Sequence, residues 1–394
     1  MQDLWKKKAI AEGFDPEMVK AYGERLSEAV KKGFGKDYAQ IDFNTIDYRQ
    51  LHNLEQQVWQ FSTAKNYTQL KEMTNALRKP DGSMRDFYDF RIQASIIAGG
   101  HVRHLKTEYS TAIASSQMAA KWANIQKMKE SYPLLQFIAV EDEHTTNLCR
   151  SIDEVIRPVD DPFWQQFYPP NHYNCRSTVK QLREGEITPT DKLNLPVVPN
   201  IFKVNLGERS LAFPEDHAYF EGTPAEVIER GRQYFPYNMQ MNIRNESDQT
   251  QGIVRQHYQV QITDEVDRIV ELAIAKAKED KIMVDILPKL DNGPQRSIIF
   301  PDAKAGKSPA LRIDKVLHSV KRSDSLTTLN KEHITDLVSD GLKEASHVII
   351  VLHEAFEETE LKAIQQAKFR SARSLQYIEF RMPGKNVIYK RKGA

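Results

Sequence analysis

Between Asp15 and about residue 130 the apolar residues recur at helical spacing, and at Tyr132-Pro133 that pattern stops. Asp15-Pro16 reads as an N-cap and first-turn pair, with Met18, Tyr22, Leu26 and Val30 following at helical intervals. Leu51, Leu54, Val58 and Phe61 continue the pattern. Lys79-Pro80-Asp81-Gly82 and then Gly99-Gly100 are expected to break it. Ala112, Ser116, Ala119 and Ala123 form a stripe of small residues that permits close helix packing. A helical region over 1–131 is therefore expected to give way to something different in kind.

The chain has 394 residues, more than one ordinary core organises, so roughly two to four domains are expected. Lys+Arg number 55 and Asp+Glu 54, which excludes a whole-chain field drawing the protein onto DNA. Local asymmetry remains, in a run of Lys362, Lys368, Arg370, Arg373, Arg381, Lys385, Lys390, Arg391 and Lys392 that reads as a solvated basic tail able to meet a polyanion. Two cysteines, Cys149 and Cys175, exclude a disulfide-built scaffold. The first residues lack the apolar run of a secretory signal, and nothing approaches the roughly 20 apolar residues of a bilayer span, so a reducing cytoplasm and no membrane partner are expected.

After Tyr132 comes a short buried-strand candidate, LLQFIAV (134–140), then a loop-rich stretch with Pro158, Pro162, Pro169 and Pro170 among aromatics. ITPTDKLNLPVVPN (187–200) reads as a linker, and residues 221–280 as a helical connection with Val266, Ile269, Val270, Ala273 and Ile274 on one face. From Lys281 onward, strand candidates at 297–300, 310–313, 316–321, 347–352, 375–380 and 386–390 alternate with helix candidates at 331–345 and 357–369. That order predicts a C-terminal α/β domain over 281–394.

The chemistry-bearing residues concentrate between Ala139 and Leu182, AVEDEHTTNLCRSIDEVIRPVDDPFWQQFYPPNHYNCRSTVKQL. His172-x-x-Cys175 places two good metal ligands together, and Cys149 could join them in a zinc shell, with His144 or Asp142 as a fourth. The alternative, which the residues favour, is a pair of buried thiols, with His172 and Arg176 hydrogen-bonded to pin an irregular loop. Trp164, Phe163, Phe167 and Tyr168 are expected in the core beneath the proline loop.

In order and spacing, Asp142, Thr145, Cys149, Asp160, Asp161, Pro162, Phe163, Trp164, Pro169, Pro170, His172, Cys175 and Arg176 resemble the phage head-morphogenesis domain of Mu-F-like minor head proteins. With its helical leader the resemblance covers roughly residues 1–220, including FPEDHAYF (213–220). It implies a small irregular α+β domain over 132–220 in a protein of the phage head. The expected partners are the portal and other capsid proteins, with phage DNA or RNA as further candidates. The expected location is the virion, after assembly in the host cytoplasm. Many members carry additional cysteines where Thr146 and Ser177 stand here.

VDILPKLD (284–291), SIIFPDAKAGKSPALRIDKV (297–316) and the stretch 326–352 resemble the C-terminal tRNase domains of contact-dependent inhibition toxins. The resemblance implies a strand ending in Pro301-Asp302, a turn at Gly306, and a nuclease site in which carboxylates hold a divalent metal while a cation steadies the phosphate. This chain departs from the pattern: Ala310 and Arg312 stand where Glu and Lys are expected. Asp302, Arg312, Asp314 and His318 are the candidate catalytic residues, Asp314 replacing the missing acid, and attenuated or lost activity is expected. His333 and His347 belong to no motif. The chain is thus expected to be multidomain, with an N-terminal α-helical region, a small α+β head-morphogenesis domain and a C-terminal α/β nuclease-like domain.

Overall fold

The computed structural model describes residues 1–8, 13–245, 252–261, 263–291, 293–323, 325–326 and 328–391. The chain divides into two units, Met1–Phe235 and Pro236–Ala394.

The first unit begins with α1 (Gln2–Lys7), α2 (Pro16–Phe34), α3 (Ile46–Asn75) and α4 (Phe87–Met128). Asp15 caps α2 as expected, its side chain accepting from the backbone N–H groups of Glu17 and Met18. Gly23 and Gly33 let α2 approach its neighbours, since a Cβ at Gly23 would collide with the Trp59 ring and one at Gly33 with the Ile113 backbone. The small residues Ala112, Ser116, Ala119 and Ala123 of α4 are buried as expected. The break expected at Gly99-Gly100 does not occur: α4 runs 42 residues straight through it. Glycine keeps its backbone N–H and so weakens a helix without interrupting the ladder, unlike proline.

Next come β1 (Leu134–Ile138), α5 (Asn147–Ser151), β2 (Ile156–Pro158), α6 (Phe163–Phe167) and β3 (Thr178–Leu182), followed by α7 (Leu206–Arg209), α8 (Ala218–Glu221) and α9 (Ala225–Arg232). The three strands form an antiparallel sheet in the order β2-β1-β3. One core joins Met118, Trp122 and Ile125 of α4 to Leu135, Phe137, Cys149, Trp164, Tyr168, Val179 and Leu206. The boundaries expected after 131 and 220 are therefore absent. The long helix supplies one wall of the core that the small sheet cannot close alone, and α9 packs on α3 with Gly231 against Thr63.

The second unit contains β4 (Met241–Ile243), β5 (Ile253–His257), α10 (Asp264–Asp280), β6 (Met283–Ile286), α11 (Pro294–Ile299), β7 (Leu311–Ile313), β8 (Val316–Arg322), α12 (Lys331–Glu344), β9 (His347–Val351), α13 (Glu358–Ser371), β10 (Tyr377–Met382) and β11 (Lys385–Lys390). Its strands form one mixed eight-stranded sheet in the order β11-β10-β9-β8-β7-β6-β5-β4. Alternation along each strand sorts the faces. Val348, Ile350, Ile378 and Phe380 pack with α12 and α13, whereas Ile349 and Tyr377 share a cluster with α10 residues Val270, Ala273 and Ala277.

Three expectations are corrected here. Residues 221–280 are not a linker: α9 belongs to the first unit, while β4, β5 and α10 build the second. SIIF (297–300) is not a strand but lies in and just after α11, which Pro294 opens at its first position. The basic run is not a free tail. Arg391 donates to the carbonyls of Phe369, Ala372 and Leu375, Arg381 pairs with Glu279 and Glu379, and Lys385 pairs with Glu358. Lys392 lies outside the described residues.

Candidate functional site

The loops around β1–β3 bring the head-motif residues together. Thr146 caps α5, accepting from the Cys149 N–H at 3.3 Å, which fixes Cys149 on the inner side of that short helix. Asp142 and Arg176, 34 residues apart, form a bidentate pair with contacts of 2.5 and 2.6 Å. That guanidinium holds the Asp142 carboxyl far below its ordinary range. Thr145 donates to the Val140 carbonyl and Asp142 accepts from the His144 N–H, so the segment before α5 is knotted by its own side chains. Asp161 accepts from the Phe163 N–H at 2.8 Å and pairs with Arg157. Trp164 is fully buried, donating from Nε1 to the Pro158 carbonyl at 2.8 Å. Tyr168, also buried, donates to the Met118 carbonyl at 3.0 Å. The Pro169–Pro170 peptide is cis. These aromatics are core, as expected.

Beneath this loop Cys149, His172 and Cys175 converge, their ligand atoms all within 4.8 Å of one another. Cys149 Sγ lies 3.9 Å from Cys175 Sγ and 3.2 Å from His172 Nε2. The thiol of Cys149 is pushed up to about 12 by its contact with Cys175 and by burial, and that same contact brings Cys175 down to about 6. His172 is raised, first by Cys149 and despite burial.

This donor set fits zinc. Two sulfurs about 2.3 Å from one tetrahedral ion stand about 3.8 Å apart, close to the 3.9 Å found. His172 Nδ1 lies 2.8 Å from the Tyr173 carbonyl, which can only accept, so the lone pair is on Nε2, which faces Cys149 Sγ and the Thr146 hydroxyl 3.1 Å away. Cys149, His172 and Cys175 would hold the ion, tying α5 to the proline loop. The fourth ligand expected from His144 or Asp142 is not supplied. His144 is exposed and beside Glu143, while Asp142 is held by Arg176. A cavity of 20 Å³ lies there, lined by Cys149 and His172 together with His144, Thr146, Arg176 and Ser177, which is room for about one water.

Of the four catalytic candidates of the second unit, Asp314 and His318 line one cavity, and Asp302 and Arg312 are not part of its lining. Asp302 follows α11 and is paired with Arg312 at 2.9 Å, and Arg312 also donates to the Ile299 and Lys315 carbonyls. Asp314 is not on a strand face. Asp314 and Lys315, with φ of 43° and 69°, make the tight turn between β7 and β8. His318 is register partner of Leu311, one residue from Arg312, so the two side chains leave opposite faces of the sheet. Glu344 is engaged by Ser319 and Lys321. Beside Asp314 and His318, that 480 Å³ cavity is lined by His347 and Tyr377, from the next two strands. Neither belongs to a motif, and only sheet register brings them beside His318.

Residues 53–180, which include most of the loop site, match the family described as "Phage Mu protein F like protein". The chain therefore carries a Mu protein F-like domain over that span. It is similar to "Putative capsid assembly protein F" of Escherichia phage Mu, 34% identical over 133 residues, covering 34% of this chain and 30% of that protein. It is also similar to the "Mu-like prophage FluMu F protein" of Haemophilus influenzae, 33% identical over 85 residues, covering 22% of this chain and 20% of that protein. The matches thus span less than a third of the length of these curated relatives. No solved structure matches the chain.

Proposed function

We propose that this chain is a minor head protein of a tailed bacteriophage that acts in head morphogenesis at the portal and is carried in the virion. The observation that carries the reading is the Mu protein F-like match over 53–180. The loop residues in that span tie one another together by ion pairs and hydrogen bonds around buried Cys149, Trp164, Tyr168 and Cys175, which suits a structural part. Among the described residues no helix is long and apolar enough to cross a membrane. Disrupting the gene in the phage that encodes it should sharply reduce DNA-filled heads, with rescue by a plasmid copy. Normal yields of filled heads after disruption would overturn the reading.

The second unit is read as a nuclease-like domain of attenuated or lost activity. Supporting this, Asp302 is engaged by Arg312 and Ala310 offers no carboxylate beside it, so a divalent metal lacks its pair of acids. The full chain incubated with tRNA, with and without magnesium, should give no discrete products. Cleavage abolished by Arg312→Ala would establish the enzyme instead. Salt-sensitive binding of DNA or RNA without cleavage would favour a binding module.

A further inference from the structure

We propose that His318 and His347 form a binding site for a divalent transition-metal ion in the second unit, separate from the cysteine cluster. β8 and β9 are parallel neighbours in which His318 and His347 are direct register partners, so both side chains leave the same face. Their ring centres are 5.0 Å apart with planes at 61°. An ion about 2.0–2.1 Å from an imidazole nitrogen lies about 3.1 Å from that ring's centre, and a tetrahedral angle then sets two such centres about 5 Å apart. The observed spacing accommodates two imidazoles sharing one ion.

The hydrogen bonding of His318 leaves a lone pair for an ion. His318 Nδ1 lies 2.9 Å from the Val316 carbonyl, which can only accept, so Nδ1 carries the proton and Nε2 is the free nitrogen. His347 Nδ1 lies 3.1 Å from the Ser346 hydroxyl, which can donate or accept, and with that oxygen accepting from Nδ1–H the lone pair is on Nε2. A hydrogen-bonded Nδ1 behind a free Nε2 is how ligating histidines are commonly oriented. Burial lowers both imidazoles, His318 to about 3, and keeps them in the neutral form that ligates.

The 480 Å³ cavity carries both signs of charge, Lys276 and Lys390 lining it with Asp280 and Asp314. Lys276, the buried lysine at its wall, is already neutralised by Asp280 at 2.7 Å and Glu379 at 3.3 Å. The Asp314 carboxylate lines the same cavity and forms no ion pair among the described residues. Water would complete the shell of an ion held by the two imidazoles. Imidazole donors select zinc, copper or nickel over magnesium or calcium.

The test uses the full chain, reduced and stripped with chelator, titrated with Co²⁺ as a stand-in for zinc. The native chain should bind one ion more than His347→Gln or His318→Gln. Charge-transfer bands from thiolate-bound cobalt, which report Cys149 and Cys175, should be unchanged in both variants. Equal ion counts in native and variant chains would overturn the proposal. So would a lost ion accompanied by lost thiolate bands. His318 is buried, so its variant can fail to fold. A measurement without substitutions therefore decides alongside: Co²⁺ should protect His347 of the native chain from diethyl pyrocarbonate, scored by peptide mass. Unchanged modification of His347 would refute the site.

Discussion

Replacing Lys65 with Met is expected to destabilise the first unit by about 3–5 kcal/mol, the usual consequence of removing one partner of a buried ion pair. Lys65 is fully buried in α3, its ammonium 2.8 Å from Glu108 of α4 and 3.1 Å from the His101 carbonyl. Tyr22 and Tyr219 lie beneath the same ammonium, with ring centres 5.3 and 5.2 Å away. Burial pushes Lys65 down and Glu108 up, so each relies on the other to stay charged. Met leaves a carboxylate without its counter-charge. Lys65→Met combined with Glu108→Leu should recover most of the loss, because apolar replacement of a whole buried pair is often neutral or stabilising. All four tryptophans, at 5, 59, 122 and 164, lie in the first unit. Urea unfolding followed by tryptophan fluorescence therefore reads this unit alone. A single variant within about 1 kcal/mol of the native chain, the level of an exposed pair, would contradict the account.

Trp164→Ala should cost a similar amount, about 3–5 kcal/mol, as large-to-small changes of buried aromatics do. Trp164 is fully buried, packs edge-on against Phe163 with ring centres 4.9 Å apart, and anchors the Pro158 carbonyl at the end of β2. Its removal opens a void in the core that joins the loop to α4 and leaves that carbonyl without its donor. The remaining tryptophans report the loss in urea, and limited proteolysis should shift to the 159–176 loop. A variant as stable and as protease-resistant as the native chain would show that the loop is held by other means.

Local chemistry was legible in the sequence wherever one short-range rule decides the outcome. Asp15-Pro16 reads as a helix start, and α2 begins there. The small-residue stripe of α4 is buried, and the order of strands and helices after residue 305 follows the apolar runs. Misreadings arose where a signal has two outcomes. Gly99-Gly100 lowers helix stability without forbidding a helix, and tertiary packing decided for α4. SIIF is too short to reveal a period, and Pro294 at the first helical position turned it into α11. Core membership is less legible still. Nothing in the periodicity says that Trp122 packs on Tyr168, with ring centres 4.8 Å apart, so the single first unit read as two regions. The Cys149–His172–Cys175 convergence was anticipated from the short spacing of two of its members. The separation of Arg312 from His318 was not, because it depends on which face each side chain leaves. His318 and His347 meet through parallel register alone, 29 residues apart in the chain.

The central claim is that this is a protein of the phage head, and mass spectrometry of purified particles tests it most directly. Heads from the encoding phage would be treated with nuclease, banded on a density gradient and digested. The account predicts peptides from both units, 1–235 and 236–394, enriched in the head fraction over the surrounding lysate. Peptides abundant in the lysate but absent from heads at every stage of assembly would contradict it.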